Sequence, residues 1–388
     1  MKILFCNIFD DPKHYMYSVI HNWLQRLNNN PSLGVSIQPF CTALNVPGMR
    51  APMKLLDIKW KSKDRELLNI YNSIINIIDQ YDVIINFGGV NLHPDFVKQL
   101  PILKVWLFYD DPESSEEYSR YMSTSHDLCA VGNIASLNDY LQWGNENVFW
   151  APIGFHYDDY DPSLTYDEII SGNRENDIVL LCERVALFRR SKVDKYSLAF
   201  PNGQYYGNGW PKGFLPEKER IPLLQNSKIG VNIHNSTGPI NFRTFYLPAN
   251  GVLQICDNKE NLGKIFELGK EVIGYNSIEE AIELTRYYLS HEEERRMIAA
   301  NGFLKAISTY DEISCFRIIV DKIKEAMKSK DVNVQPKPLD LGVKQSELIT
   351  LFDKFIYFFP KYLKSVYRRL LKFYRNIVYN FKSLLQSD

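Results

Sequence analysis

Residues 103–112, LKVWLFYDDP, are an apolar run, broken only by Lys104, that empties into two aspartates and a proline. A run this short and this apolar reads as a strand buried on both faces, and the polar stop at its carboxyl end reads as a loop. The same pattern occurs earlier in residues 2–8 (KILFCNI), which lead to Asp10 and Asp11, and in residues 82–87 (DVIINF), which lead to Gly88, Gly89, Asn91 and His93. It occurs again in residues 127–131 (DLCAV), which lead to Gly132 and Asn133. Helical spacing lies between them, most clearly over 64–80, where Leu67, Leu68, Tyr71, Ile74, Ile75 and Ile78 recur at three and four. Strand alternating with helix predicts an α/β fold with a doubly wound parallel sheet.

A turn-rich stretch follows, and the pattern then restarts. Residues 177–182, 203–207, 228–234, 252–256 and 271–275 read as strands, and helices are expected at about 190–199, 216–227, 241–250, 259–268, 278–290 and 292–308. The expected organisation is therefore two Rossmann-like doubly wound domains, 1–155 and 177–328, joined by a connector at 156–176. A cleft between them would be lined by loops at the carboxyl ends of the strands. A proline-bearing linker is expected at 329–345 and a basic amphipathic helical tail at 346–388.

The chain has 388 residues, 45% hydrophobic and 23% charged, and a formal net charge of −1. This composition excludes a disordered or fibrous chain, and the balance gives no electrostatic reason to expect nucleic acid as a partner. The average hides an asymmetry. From Lys354 to Lys382 there are eight Lys/Arg and no acids, which leaves 37 basic against 46 acidic residues elsewhere. Aromatic side chains beside a cationic face suit an interfacial helix, with an anionic membrane surface as partner; packing of the same apolar stripe on the body is the competing reading. The first eight residues are too short for a signal-peptide core, and no stretch of about 20 apolar residues predicts a transmembrane helix. Six scattered cysteines without C-x-x-C spacing read as reduced thiols of a cytoplasmic protein.

The common nucleotide and hydrolase fingerprints are absent: there is no G-x-G-x-x-G, no G-x-x-x-x-G-K-[ST] and no G-x-S-x-G. A different phosphate device is suggested by residues 234–243, HNSTGPINFR, where an apolar strand turns through Gly238-Pro239 into a helical pattern carrying Arg243. Backbone N–H groups and a guanidinium can hold a diphosphate without a metal, although a plain capped helix fits the same residues.

At this segment the chain resembles the C-terminal half of GT-B glycosyltransferases, and in particular the group typified by the spore maturation protein CgeB. The resemblance rests on GPINFRTFYLPANG (238–251), on the strand VLQICD (252–257), on Ile273-Gly274-Tyr275 and on Ala299-Ala300-Asn301-Gly302 with Arg317. Asp110-Asp111-Pro112, Gly144 to Pro152 and the run from Tyr206 to Trp210 agree with it in order. The resemblance implies transfer of a sugar from a nucleotide-diphosphate donor to a glycan or lipid-linked acceptor of the cell surface. It implies no metal and no cofactor beyond the nucleotide sugar as co-substrate; the basic tail adds the expectation of a place on the inner face of the membrane.

Donor-binding residues are then expected to be Arg189, Asn235, Gly238, Asn241, Arg243, Tyr246 and Tyr275. Arg184 and Arg190 share the loop of Arg189, and Trp210 is a further ring that could stack on the base or sugar. Catalytic candidates are Asp110, Asp111 and His93, because an inverting transfer needs a base beside the acceptor hydroxyl. One departure stands out: Tyr246 occupies the place of the glutamate that holds the nucleotide ribose in such enzymes, and a phenol can make one such bond but not a charged bidentate pair. That substitution keeps open a non-catalytic nucleotide- or glycan-binding relative, and a nucleotide-sugar epimerase of the same fold is a third reading.

Overall fold

A computed structural model describes residues 1–329 except 10, 13, 14, 47, 186–188 and 236–240. The expected tail at 346–388, and the linker beyond Ser329, lie outside the described residues, as does Gly238. Two all-parallel sheets carry the chain. The first has the order β2-β1-β3-β4-β5-β6, built from β1 (Lys2–Asn7), β2 (Ser36–Cys41), β3 (Val83–Phe87), β4 (Leu103–Phe108), β5 (Leu128–Val131) and β6 (Val148–Trp150). The second has the order β11-β10-β9-β7-β8, from β7 (Asn176–Leu181), β8 (Gln204–Tyr206), β9 (Ser227–Asn232), β10 (Leu253–Cys256) and β11 (Ile273–Gly274). Both are doubly wound orders in which the chain reverses direction across the sheet beside its first strand, between β1 and β3 and between β7 and β9.

Side chains alternate across the sheets as the pleat demands. In β1, Leu4 and Cys6 enter the core on one face, while Ile3 and Phe5 enter the core on the other. Trp106 and Phe108 of β4 share the first core, and Val105 and Leu107 share the second. Helices cover both faces, which is why these strands read as continuous apolar runs rather than alternating ones. The second sheet repeats this, with Ile178 and Leu180 on one side of β7 and Val179 on the other.

Two strands escape the sequence reading, and both lie at edges. β2 contains Pro39, which cannot donate a ladder hydrogen bond and is tolerated only where one side of the strand is free. β6 has three residues. The connector is also more ordered than its turns suggest. Helix Tyr166–Ser171 starts in a capping box between Thr165 and Glu168, and buries Ile169 in the core of the second domain.

The last helix corrects the expected 177–328 boundary. Glu312–Ser329 crosses back to the first sheet, where Ile313, Phe316, Ile319, Val320 and Ile323 join the core around Trp23 and Phe5. Phe316 and Trp23 meet edge to face at 5.7 Å. Two glycines admit the packing behind the cleft. A Cβ on Gly230 of β9 would stand 2.7 Å from Leu247, so helix Arg243–Ala249 can lie directly on the strand. At Gly302 a Cβ would stand 2.2 Å from the Glu271 carbonyl oxygen, so only glycine lets helix Glu292–Thr309 approach that backbone. No helix among the described residues is long and apolar enough to cross a membrane.

Candidate functional site

The carboxyl ends of the two sheets face each other across three adjoining cavities. The first, of about 490 Å³, lies between helix Tyr15–Asn28 and the loops after β7 and β8, and includes Cys182, Glu183, Arg189, Gly207, Arg243 and Tyr246. A second, of about 460 Å³, joins Asp110 after β4 to Arg189, His234, Asn235 and Arg243. The third, of about 260 Å³, lies at the ends of β1, β3 and β4. Phe242 lines all three. A larger, shallow cavity of about 720 Å³ opens at the other end of the first sheet, around the starts of β4, β5 and β6, away from these loops.

A buried polar network sets the second-domain wall. Asn232, at the end of β9 and fully buried, reaches Asn241 Oδ1 at 3.1 Å, Thr244 Oγ1 at 3.2 Å and Gln254 Oε1 at 3.3 Å through its amide nitrogen. Its Oδ1 accepts from Asn241 Nδ2 at 3.0 Å and from Arg243 Nε at 3.1 Å. Arg243 Nη1 donates to the Leu181 carbonyl at 3.0 Å, which fixes its guanidinium at the end of β7. Arg189 is tied in the same way, with Nη1 on the Ile233 carbonyl at 3.2 Å and Nε on that of Glu183 at 3.3 Å. Burial pulls the Arg189 guanidinium below its ordinary pKa. Neither arginine has a carboxylate partner among the described residues. Two cations held only by neutral oxygens at a cavity wall make a site for an anion, because an unpaired charge in such a place is costly.

The expected donor residues divide. Arg189, Asn241, Arg243 and Tyr246 line the 490 Å³ cavity, and Asn235 lines the adjoining one. Tyr246 is 7% exposed, and its hydroxyl bonds to no described residue; burial pushes the phenol up to about 12. Tyr275 is not in the cleft. It is 2% exposed, and its hydroxyl donates to the Asn232 carbonyl at 3.1 Å, so it braces β9 from inside. Trp210 is likewise interior, stacked on Tyr205 with its indole N–H on the Cys182 carbonyl at 2.8 Å. Arg184 and Arg190 turn to Asp194 at 2.7 and 3.6 Å.

Of the three acid–base candidates, one is in the cleft. The Asp110 side chain is 62% exposed, lines two of the cavities and stands 3.9 Å from Arg50. Asp111 points the other way. Its carboxylate is fully buried and accepts from Ser115 and Ser119 at 2.8 Å each and from Tyr140 at 2.7 Å; burial raises its pKa. With its hydrogen-bonding capacity spent inside the domain, it ties the loop down rather than facing a substrate. His93 caps helix Pro94–Val97, accepting from the Asp95 N–H at 3.2 Å, stacks on Trp60 at 5.3 Å and lines none of these three cavities.

Other cleft residues lacked a local signal. His156 lies at the seam of two cavities, with Nδ1 2.7 Å from Glu312 Oε2. Arg26 clamps the same carboxylate, with Nη2 at 2.9 Å, and reaches Asp158 at 2.8 Å through Nη1. Arg220 pairs with Asp159 beside Tyr246. These partners are up to 286 positions apart, so spacing could not reveal them. Asn232 and Gln254 did leave a trace, as lone polar residues inside the runs IGVNI and VLQIC.

His234, Cys256 and Asp257 bring ligand atoms within 4.8 Å of one another. Their state does not suit a metal. Both Asp257 oxygens are held by His234, at 2.5 Å through Nδ1 and 2.9 Å through its backbone N–H, and burial keeps Cys256 a thiol by raising its pKa. The Asp159-Tyr160-Asp161 stretch offers no ligand pair either, since Asp159 is committed to Arg220 and Asp161 to Ser163.

Comparison with known proteins places this cleft in context. Residues 184–313 match the family described as glycosyl transferase-like. HepE from Anabaena, solved in complex with UDP and glucose, superposes with a TM-score of 0.57 at 14% identity, over 85% of this chain and 100% of that one. Sucrose-phosphate synthase from Thermosynechococcus elongatus gives 0.61 at 11% identity over 85% and 100%. A glycosyltransferase from Rickettsia africae gives 0.56 at 12% over 85% and 99%. No curated protein matches the chain in sequence. The chain therefore has the two-domain GT-B fold, and its second domain carries the glycosyl transferase-like match.

Proposed function

We propose that the protein is a glycosyltransferase that binds a nucleotide-diphosphate sugar on its second domain and passes the sugar to a hydroxyl held by its first. The observation that carries this reading is the pair Arg189 and Arg243, two guanidiniums at the cleft wall held by neutral oxygens and without a carboxylate partner among the described residues. A diphosphate supplies the missing negative charge, and its charge grows as the bond to the anomeric carbon breaks. Fixed cations aimed at that charge stabilise the transition state more than the ground state. HepE's complexes with UDP and UDP-glucose support the choice of ligand class.

The Tyr246 hydroxyl, open to the same cavity, serves as a hydrogen-bond partner for a ribose hydroxyl. Asp110, exposed across the cleft, takes the proton of the acceptor hydroxyl. The reaction runs without a metal, since the basic side chains cover the leaving group. The acceptor is a glycan or lipid-linked molecule of the cell surface, in keeping with the sequence resemblance to the CgeB group, and the basic stretch 346–388 holds the enzyme to the inner, anionic face of the membrane. Incubation with a panel of nucleotide sugars tests the reading. Release of nucleoside diphosphate with transfer to added acceptor is expected; nucleotide binding without any turnover would make the protein a binding relative, and altered sugar without acceptor would make it an epimerase.

A further inference from the structure

The 260 Å³ cavity in the first domain is lined mainly by apolar and aromatic side chains. Its walls are Ile8 and Phe9 after β1, Phe87 at the end of β3, Tyr109 after β4, Trp23 from helix Tyr15–Asn28 and Phe242 from the second domain. The rings form a continuous lining, with Phe87 at 6.1 Å from both Trp23 and Tyr109 and at 5.3 Å from Phe5 behind it. Four charged or ionisable side chains line the cavity: Arg50, Tyr109, Asp110 and His156. Arg50 is already engaged, with Nη1 on the Gly88 carbonyl at 2.8 Å and its guanidinium over the Tyr118 ring at 4.3 Å.

The open polar groups include the Tyr109 hydroxyl, Asp110 and His156, each also lining one of the nucleotide-facing cavities. A sugar ring placed here would bring several hydroxyls into an aromatic box that can pair only some of them. Each buried hydroxyl left unpaired weakens binding. An aromatic or alicyclic ring with a single hydroxyl meets the opposite balance: its carbon skeleton fills the box and its one polar group arrives between Asp110 and His156. The His156 Nδ1–Glu312 contact at 2.7 Å fixes the imidazole ring beside Asp110, which takes the hydroxyl's one proton.

We propose that this cavity is the acceptor subsite and that it takes a hydroxyl carried on an apolar, ring-sized group rather than the non-reducing end of a glycan. The proposal rests on the glycosyltransferase reading and puts an apolar ring in place of a glycan as its acceptor. In the transfer the acceptor O–H proton passes to Asp110, the oxygen bonds to the anomeric carbon, and the electron pair of the broken bond leaves on the diphosphate beside Arg189 and Arg243.

Calorimetric titration of the full chain with 2-naphthol and with methyl α-glucoside tests it, with UDP titrated separately. Saturable naphthol binding is expected, at least about tenfold tighter than the glucoside. Phe87→Ala, which removes a wall, and Ile8→Phe, which fills the space, should each weaken naphthol about tenfold, the range of one aromatic pair, while UDP affinity stays within about twofold. Absent or non-saturable naphthol binding, a tighter glucoside, or variants that leave naphthol unchanged would overturn the proposal. Should either variant fail to fold, a wild-type crystal with naphthol decides, since a ring bound anywhere but between Phe87 and Phe242 refutes it. Loss of UDP binding in the wild type would instead count against the donor reading.

Discussion

His156 Nδ1 lies 2.7 Å from Oε2 of Glu312, a residue 156 positions further along the chain, and Arg26 holds the same carboxylate from the first domain. The carboxylate can only accept, so His156 donates from Nδ1 and the tautomer is set. The triad joins the first domain, the connector and the crossover helix at the floor of the cleft. Glu312→Gln should lower stability by about 2 kcal/mol, the scale of a charge-assisted hydrogen bond removed from a buried site. Denaturant unfolding of the variant checks this, and an unchanged midpoint would show that the triad carries no stability.

Neighbouring aspartates should behave in opposite ways. Asp110→Asn is expected to reduce turnover by about 10²–10⁴-fold, the usual contribution of a proton acceptor, with UDP affinity preserved. Asp111→Asn should keep turnover within a few-fold, because its side chain faces Ser115, Ser119 and Tyr140 rather than the cleft. Steady-state rates of the two variants distinguish them; equal losses would contradict the assignment.

Stability should fall on mild acidification. Burial holds His126 down to about 4, with Nδ1 on the Met122 carbonyl at 2.9 Å, while an unfolded chain titrates near 6.5. Between those values the unfolded state binds more protons, so unfolding becomes easier as pH drops from about 6.5 towards 4, by about 3 kcal/mol in all. Burial also lowers the His93 pKa, which adds in the same direction. His126→Gln should flatten this part of the pH–stability curve, and an unaltered slope would refute the role of His126.

Tyr246→Phe removes a hydroxyl from the wall of the 490 Å³ cavity. UDP should bind about fivefold more weakly, equivalent to a neutral hydrogen bond of about 1 kcal/mol, with little change in unfolding midpoint because the hydroxyl bonds to no described residue. Calorimetry and thermal melting together separate the two effects.

The apolar runs LKVWLFY and DIVLLC announced strands buried on both faces, and the polar stops after them marked the ends where the cleft forms. Edge strands such as SIQPFC were hidden, because an edge tolerates a proline that the interior of a sheet would reject. That Arg189 and Arg243 line the cleft could be read because each follows a strand of the second sheet in sequence. Asp110 and Asp111 could not be told apart, since adjacent residues at a strand end point to opposite sides, and only the packed Tyr140 and the two serines show which one is spent. His156, Glu312 and Arg26 come from three distant segments, and no local pattern links them.

The central claim is that Arg243 meets a nucleotide diphosphate. Its most direct test is the affinity of the full chain for UDP, measured by calorimetry for the wild type and for Arg243→Ala. Removing a charge-assisted hydrogen bond to the diphosphate predicts binding weaker by about 10–100-fold in a variant that still unfolds cooperatively. Equal affinity in the two proteins, or no UDP binding by the wild type, would contradict the account.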